Sequence, residues 1–253
     1  MTFIEILRVI EEIGVALFLA YAAYSDYKTR IIEDKVWGLM LLTLAPITLY
    51  LISSVYERFM PLYMASLLIG IMLGMFIGLT KLTGGADAKA VMVISAVVIP
   101  KGFSPLLIPS LTIMLNSTIF SLLTIIYVLL RNLLMYAKSR KLFNEELPMT
   151  TKIMLILVAY RERVCNIISH PYRYFIVEVI EGGTKHYRLA LLSAEEDTSE
   201  TIKKMISQGV KDTDYLWVSP SIPLIVYVLM GYLYYITYGN VLEPLLVHVF
   251  KRL

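Results

Sequence analysis

Cysteine is almost missing: Cys165 is the only one in 253 residues. A lone cysteine excludes an internal disulfide and any cysteine-built zinc site. Charge is also scarce, at 17% of residues, where a soluble domain carries about a quarter. Hydrophobic residues make up 58% of the chain and mean hydropathy is +0.70, so it reads as an integral membrane protein. A net charge of +3 is too small to suggest a nucleic-acid partner. His170, His186 and His248 lack ligand spacing, so neither a metal nor any other cofactor is expected. The eighteen tyrosines fit interfacial belts better than a cofactor box. A cleavable signal peptide is not expected, because Glu5, Glu11 and Glu12 interrupt the first apolar run and no basic stretch precedes it.

What is there is a series of apolar segments. A spanning helix needs about 20 mainly apolar residues. Segment one covers Ile4 to Tyr24. Its first half carries Arg8, Glu11 and Glu12, and is read as emerging from the membrane, with Arg8 and Glu12 paired four residues apart. Segment two runs from Val36 to Ser53, segment three from Pro61 to Thr80, and segment five from Leu106 to Leu130. Segment four, Ala88 to Pro100, is short for a crossing. It can cross only if its start, with Asp87, lies inside the membrane boundary or in a protein-lined cavity. Segment six runs from Ile222 to Tyr238.

Residues Arg131 to Ser219 hold more than half of the charged residues. RNLLMYAKSRKLF suggests an amphipathic surface helix. IMLILVAY is a strand or a buried helix turn. YRYFIVEVI and HYRLALL predict a hairpin turning at Gly182 and Gly183. Ser193 and Glu196 form a capping-box pattern opening a helix that ends at Gly209, and DYLWV predicts a strand. The expected fold is therefore a polytopic α-helical membrane protein. Six transmembrane helices would carry a small cytoplasmic α+β domain between the fifth and the sixth. The domains are 1–130 (five helices), 131–219 (soluble) and 220–253 (sixth helix and tail).

Basic residues set the orientation. Lys28, Arg30 and Lys35 follow segment one, Lys81 and Lys89 follow segment three, and Arg131, Lys138, Arg140 and Lys141 flank the soluble domain. Alternating spans put all three groups on one side, which is then cytoplasmic, in a multi-pass protein of the plasma membrane. The opposite side has Arg58 and Lys101, and Lys251 and Arg252 fall there too, against the trend.

On the cytoplasmic side two carboxylates stand at span ends: Asp26 in AAYSDYKTRIIEDKVWG and Asp87 in TGGADAKA. Ionisable residues near hydrocarbon are costly and tend to be functional. Two converging aspartates cannot both ionise easily, so one proton is shared. The ionised partner then draws a proton from water as that water attacks a peptide carbonyl, and the protonated partner hydrogen-bonds the carbonyl oxygen. Each residue also has a purely structural reading: Asp87 as a helix N-cap, Asp26 as a solvated interfacial residue. Glu33 and Asp34 read as ordinary loop residues. Lys89 either favours the ionised form of Asp87 or snorkels to the headgroups.

GGAD at Gly84–Asp87 resembles the GxGD signature of membrane aspartyl proteases, and Asp26 with Arg30 and Ile31 resembles the first aspartate block of type IV prepilin peptidases. LWVSPSIPLIVYV is similar to the end of the archaeal branch, the preflagellin and prepilin peptidases. Ala86 departs from the second glycine of GxGD, where a positive φ would be costly. The presenilin-like branch, with its first aspartate in a YD pair, fits less well, since Asp26 follows Ser25. The resemblance implies an aspartic endopeptidase with Asp26 and Asp87 catalytic. Gly84, Gly85 and Ala86 would form a loop that lets substrate approach closely. Its partners would be archaellin or pilin precursors and membrane lipid, with basic leader peptides cleaved at the cytoplasmic face. Bacterial relatives often pair CxxC motifs with methyltransferase activity, and a chain with only Cys165 is expected to lack N-methylation. Two other classes compete: a proton-coupled transporter or channel using both aspartates as a relay, and a non-catalytic scaffold. A transporter predicts internal repeats and helices broken near the midplane, and neither pattern is visible.

Overall fold

A computed structural model describes residues 2–80, 84–101, 108–143, 146–181, 184–187 and 198–242. The chain separates into two compact units, Met1–Ser121 with Pro223–Leu253, and Leu122–Ile222.

The first unit is helical. It contains α1 (Phe3–Thr29), α2 (Asp34–Ser54), α3 (Met60–Thr80), α4 (Gly85–Val97), α5 (Pro109–Ser121) and α10 (Leu224–Tyr238). Thr2 and Glu5 close a reciprocal capping box on α1. Arg30 ends α1 in a left-handed conformation, φ 59°, returning its N–H to the Asp26 carbonyl. Among the described residues three helices are long and apolar enough to cross a membrane: Asp34–Ser54, Glu57–Thr80 and Pro109–Lys138. The last includes α6 (Leu123–Ser139), set off from α5 by the single residue Leu122. Of the other expected crossings, α1 is long but charged in its first half, while α4 and α10 have 13 and 15 residues.

One core joins five helices: Val15, Leu19, Ala22 and Ala23 of α1, Trp37, Met40 and Leu44 of α2, Ala90, Val93, Ile94 and Val97 of α4, Ile113 of α5, and Ile225, Val228, Tyr232 and Tyr235 of α10. The outward faces are just as apolar yet exposed, with Met72 at 69% and Leu79 at 81%. A soluble protein would not tolerate so much open apolar surface; lipid would remove the cost.

Small residues bring backbones together where hydrophobicity gives no preference between protein and lipid. A Cβ on Gly231 of α10 would lie 2.7 Å from the Ile113 carbonyl of α5. Polar side chains add specific ties: Thr48 Oγ1 donates to the Val97 carbonyl (3.0 Å) and the Tyr63 hydroxyl to the Ala96 carbonyl (2.8 Å).

The second unit is α+β. It has α6, α7 (Met149–Val158), β1 (Tyr160–Arg163), α8 (Val164–Ser169), β2 (Tyr174–Ile176), β3 (Glu178–Glu181), β4 (Thr184–Tyr187), α9 (Thr198–Ser207) and β5 (Tyr215–Pro220). Antiparallel strands order β1-β5-β2 in one sheet, and β3 pairs with β4 in another. IMLILVAY resolves as helix, with the strand starting only at Tyr160. The YRYFIVEVI run forms two strands rather than one. Ile176 to Glu178 and Val179 are all buried, which breaks the period-two alternation of a half-buried strand, so the chain changes sheets at Val177. Gly182, Gly183, Ser193 and Glu196 lie outside the described residues; Gly209 follows α9 with φ 102°.

Within this unit Arg131 of α6 reaches Glu162 of β1 (2.7 Å) and lies 4.6 Å over the Tyr160 ring. Burial pushes the Tyr160 phenol well above the usual tyrosine range.

Candidate active site

Asp26 lies in the last turn of α1, beyond the apolar run that ends at Tyr24. Its side chain is 13% exposed. Oδ1 faces Arg30 Nη1 at 3.4 Å, an acid-before-base pair four residues apart, the favoured order on a helix. Oδ2 accepts the backbone N–H of Ile225 at 3.2 Å. That N–H belongs to the first turn of α10, whose N-cap Pro223 offers no side-chain cap. Asp26 therefore caps α10 from another helix, satisfying one of its orphan donors. The solvated-interface reading of Asp26 does not describe this residue.

Asp87 occupies the third position of α4 and is half-buried. Gly84 is the N-cap, and the Asp87 N–H donates to its carbonyl at 3.0 Å. The N-cap reading of Asp87 is thus corrected: it stands one turn inside, in the positive end of the helix dipole. Ala86 is helical and packs against the core shared by α1, α2, α4, α5 and α10. Among the described residues only Arg30 and Arg140 are non-glycine residues with positive φ, so alanine carries no backbone cost at this place in the GxGD-like block. Gly84 and Gly85 are exposed, and a Cβ on Gly85 would meet no atom of the described residues within 4 Å. Nothing described in this chain requires a glycine there.

Lys89 settles where α4 begins. Its ammonium pairs with Asp34 at 2.6 Å rather than serving only as a headgroup anchor. Asp34 is the first residue of α2 and follows α1 after four residues. The C-terminal end of α1 and the N-terminal ends of α2, α4 and α10 therefore share one end of the helical unit. Asp26 and Asp87 belong to that end, on helices joined by one core.

The opposite end holds a cluster that the spacing of charges revealed only in part. Arg8 and Glu12 pair at 3.4 Å, as their spacing predicts. Glu12 also pairs with Lys101 at 3.0 Å, and Glu11 is 2% exposed rather than emerging into water. Arg8, Glu11, Glu12, Lys101, Tyr232 and Tyr235 line a cavity of about 10 Å³, room for one water. Sequence reasoning had no signal for Lys101, which is distant in the chain and becomes a partner only through the fold.

Two family descriptions match this chain. "Type IV leader peptidase family" covers residues 13–130, including both aspartates, and "Archaeal Peptidase A24 C-terminus Type II" covers 151–241. A preflagellin peptidase of Methanocaldococcus jannaschii is 28% identical, over 93% of this chain and 96% of its own length. A preflagellin peptidase of Methanococcus voltae is 26% identical, over 86% of this chain and 90% of its own.

Proposed function

The chain belongs to the type IV leader peptidase family, and from that premise we propose a membrane aspartic endopeptidase that removes short basic leader peptides from archaellin or type IV pilin-like precursors. The observation that carries this reading is the position of Asp26 and Asp87 at one end of one helical core, both inside the leader-peptidase match. Water activated between the two carboxyls attacks the peptide carbonyl, and the precursor's apolar helix docks among the spans to present the bond. Gly85 leaves open space among the described residues near Asp87, and a Cβ on Gly84 would come within 3.8 Å of Asp87 Oδ2, so a substrate backbone can approach here.

The topology belongs to the same proposal. Six crossings in the plasma membrane, with membrane parts 1–130 and 220–253 around a soluble part 131–219, put both aspartates at the cytoplasmic boundary. The basic residues after segments one, three and five support that side. Cys165 provides a direct check, being the only cysteine and exposed in the second unit. A membrane-impermeant thiol reagent should label it in inside-out vesicles and not in intact cells. Labelling of intact cells would reverse the orientation.

The activity is tested by incubating the purified protein with precursor proteins and sequencing the new N-termini. Cleavage at a single junction after the basic leader is the expected result. Intact precursors, with wild-type protein that is folded, would remove the proposal.

A further inference from the structure

A peptidase dyad needs one carboxyl to be ionised and the other protonated, and the surroundings of Asp26 break that symmetry. We propose that Arg30 is a positioning residue that holds Asp26 as the ionised member of the dyad, making Asp26 the base and Asp87 the proton donor. The inference rests on the peptidase reading above and assigns roles within it.

Geometry supports the assignment. The α1 helix ends at Arg30 in a left-handed turn, and its backbone N–H returns to the Asp26 carbonyl at 3.1 Å. The same turn brings Nη1 to 3.4 Å from Oδ1, with both side chains largely enclosed, 17% and 13% exposed. Oδ2 meets the Ile225 N–H and with it the positive end of α10. Burial is the largest influence and lifts the Asp26 carboxyl above the ordinary aspartate range; Arg30 and the Ile225 N–H pull against it, so the cation is what keeps the ionised form within reach. Among the described residues, other elements at this end contribute no cation to Asp26 that is not already engaged: Lys89 of α4 is paired with Asp34 of α2, Lys35 with Glu33, and Lys28 lies over the Tyr24 ring. From α10 the contribution is backbone.

The chemistry then balances. With Arg30 on Oδ1, Oδ2 exchanges the Ile225 N–H for a water. Asp26 Oδ2 takes one proton of that water as its oxygen bonds to the carbonyl carbon, and Asp87 gives its proton to the carbonyl oxygen. In the second half the C–N bond breaks. Asp26 passes its proton to the leaving nitrogen, and the diol returns one proton to Asp87. The products are the free acid and the free amine, with both carboxyls restored.

The test is the pH dependence of kcat/KM on a synthetic precursor peptide, a basic leader joined to an apolar helix. The base must be ionised, so activity falls as pH falls through its titration. Arg30→Gln should move the acid limb to higher pH by about one unit, tenfold in activity on the limb. Arg30→Lys should restore most of the shift. Arg30→Gly relieves the left-handed cap while removing the cation, so it should fold at least as well and shift the limb as Arg30→Gln does. An unmoved limb in Arg30→Gln and Arg30→Gly, or a lysine that fails to rescue, overturns the proposal. Should these variants cleave too slowly to profile, the infrared carboxyl titration of Asp26, assigned by its loss in Asp26→Asn, decides on the same shift. Full cleavage by Asp26→Asn overturns the dyad itself, whereas an unmoved limb beside an inactive Asp26→Asn overturns only the part given to Arg30.

Discussion

The two ends of α1 carry the same device, an arginine and a carboxylate four residues apart, and use it differently. At the first end Arg8 and Glu12 are one edge of a larger knot. Lys101 pairs with Glu12 and donates to the Ile236 carbonyl, the Tyr232 hydroxyl donates to the Glu12 carbonyl, and the Tyr235 hydroxyl donates to that of Ile99. At the other end, roughly 27 Å along the helix, Asp26 meets Arg30 and one N–H of α10. The first end fastens α1, α10 and the segment after α4 through several bonds. The second leaves α10 tied to Asp26 by a single hydrogen bond, worth about 2 kcal/mol for an ionised acceptor. A structure built this way can yield at the aspartate end without coming apart, which a substrate entering between helices requires.

The largest effect is expected from neutralising each aspartate. Asp26→Asn and Asp87→Asn should each lower cleavage by about 10³-fold or more, since an amide neither accepts nor returns the proton. The stability of Asp26→Asn to thermal unfolding should fall by only about 1 kcal/mol, because the Asn amide oxygen can keep the Ile225 N–H while the Arg30 contact is lost. Substantial processing by either variant would show that the two residues do not act as a pair.

The opposite end should respond the opposite way. Lys101→Met strips Glu12 of a cation in a largely enclosed site and frees the Ile236 carbonyl, and should cost about 2 kcal/mol of stability. Cleavage per folded molecule, measured well below the unfolding temperature, should be unchanged. Activity lost in step with no loss of stability would place Lys101 in the reaction and erase the contrast.

These two ends were unequally legible in the sequence. Asp26 and Asp87 stand out because each carboxylate borders the end of an apolar run, a signal local to its own segment. Arg8 and Glu12 were legible as a pair by helical spacing. Lys101 was not, since its partners lie 89 and 135 residues away and only packing brings them together. The long helices were readable from hydropathy alone, as the apolar stretches of α2 and α3 show. The strands were less so: burial of Ile176 through Val179 erases the alternation that would have shown where β2 ends and β3 begins.

Glycines sharpen the same contrast with a smaller effect. Gly231 sits where a Cβ would meet a neighbouring backbone, whereas Gly85 faces open space. Gly85→Ala should therefore leave stability within about 0.5 kcal/mol, as an exposed change does. If a substrate backbone passes there, KM for the precursor should rise about tenfold with kcat little changed, the mark of lost binding. An unchanged KM would end the role given to the Gly84–Ala86 loop.

The smallest effect is expected at Glu11, the most buried carboxylate of the knot. Its Oε1 has no hydrogen-bond partner among the described residues, and Ile99 supplies a backbone hydrogen bond to the carboxyl. Glu12, one residue on, keeps the pairings with Arg8 and Lys101. Glu11→Met exchanges a buried, half-satisfied polar group for an apolar side chain of similar length. It loses the Ile99 contact and gains relief from the unsatisfied oxygen, two terms of about 1 kcal/mol with opposite signs. Stability should thus stay within about 1 kcal/mol of wild type, with cleavage intact. A fall as large as that of Lys101→Met would mean that Glu11, and not Glu12, is the residue on which the first end of α1 is fastened.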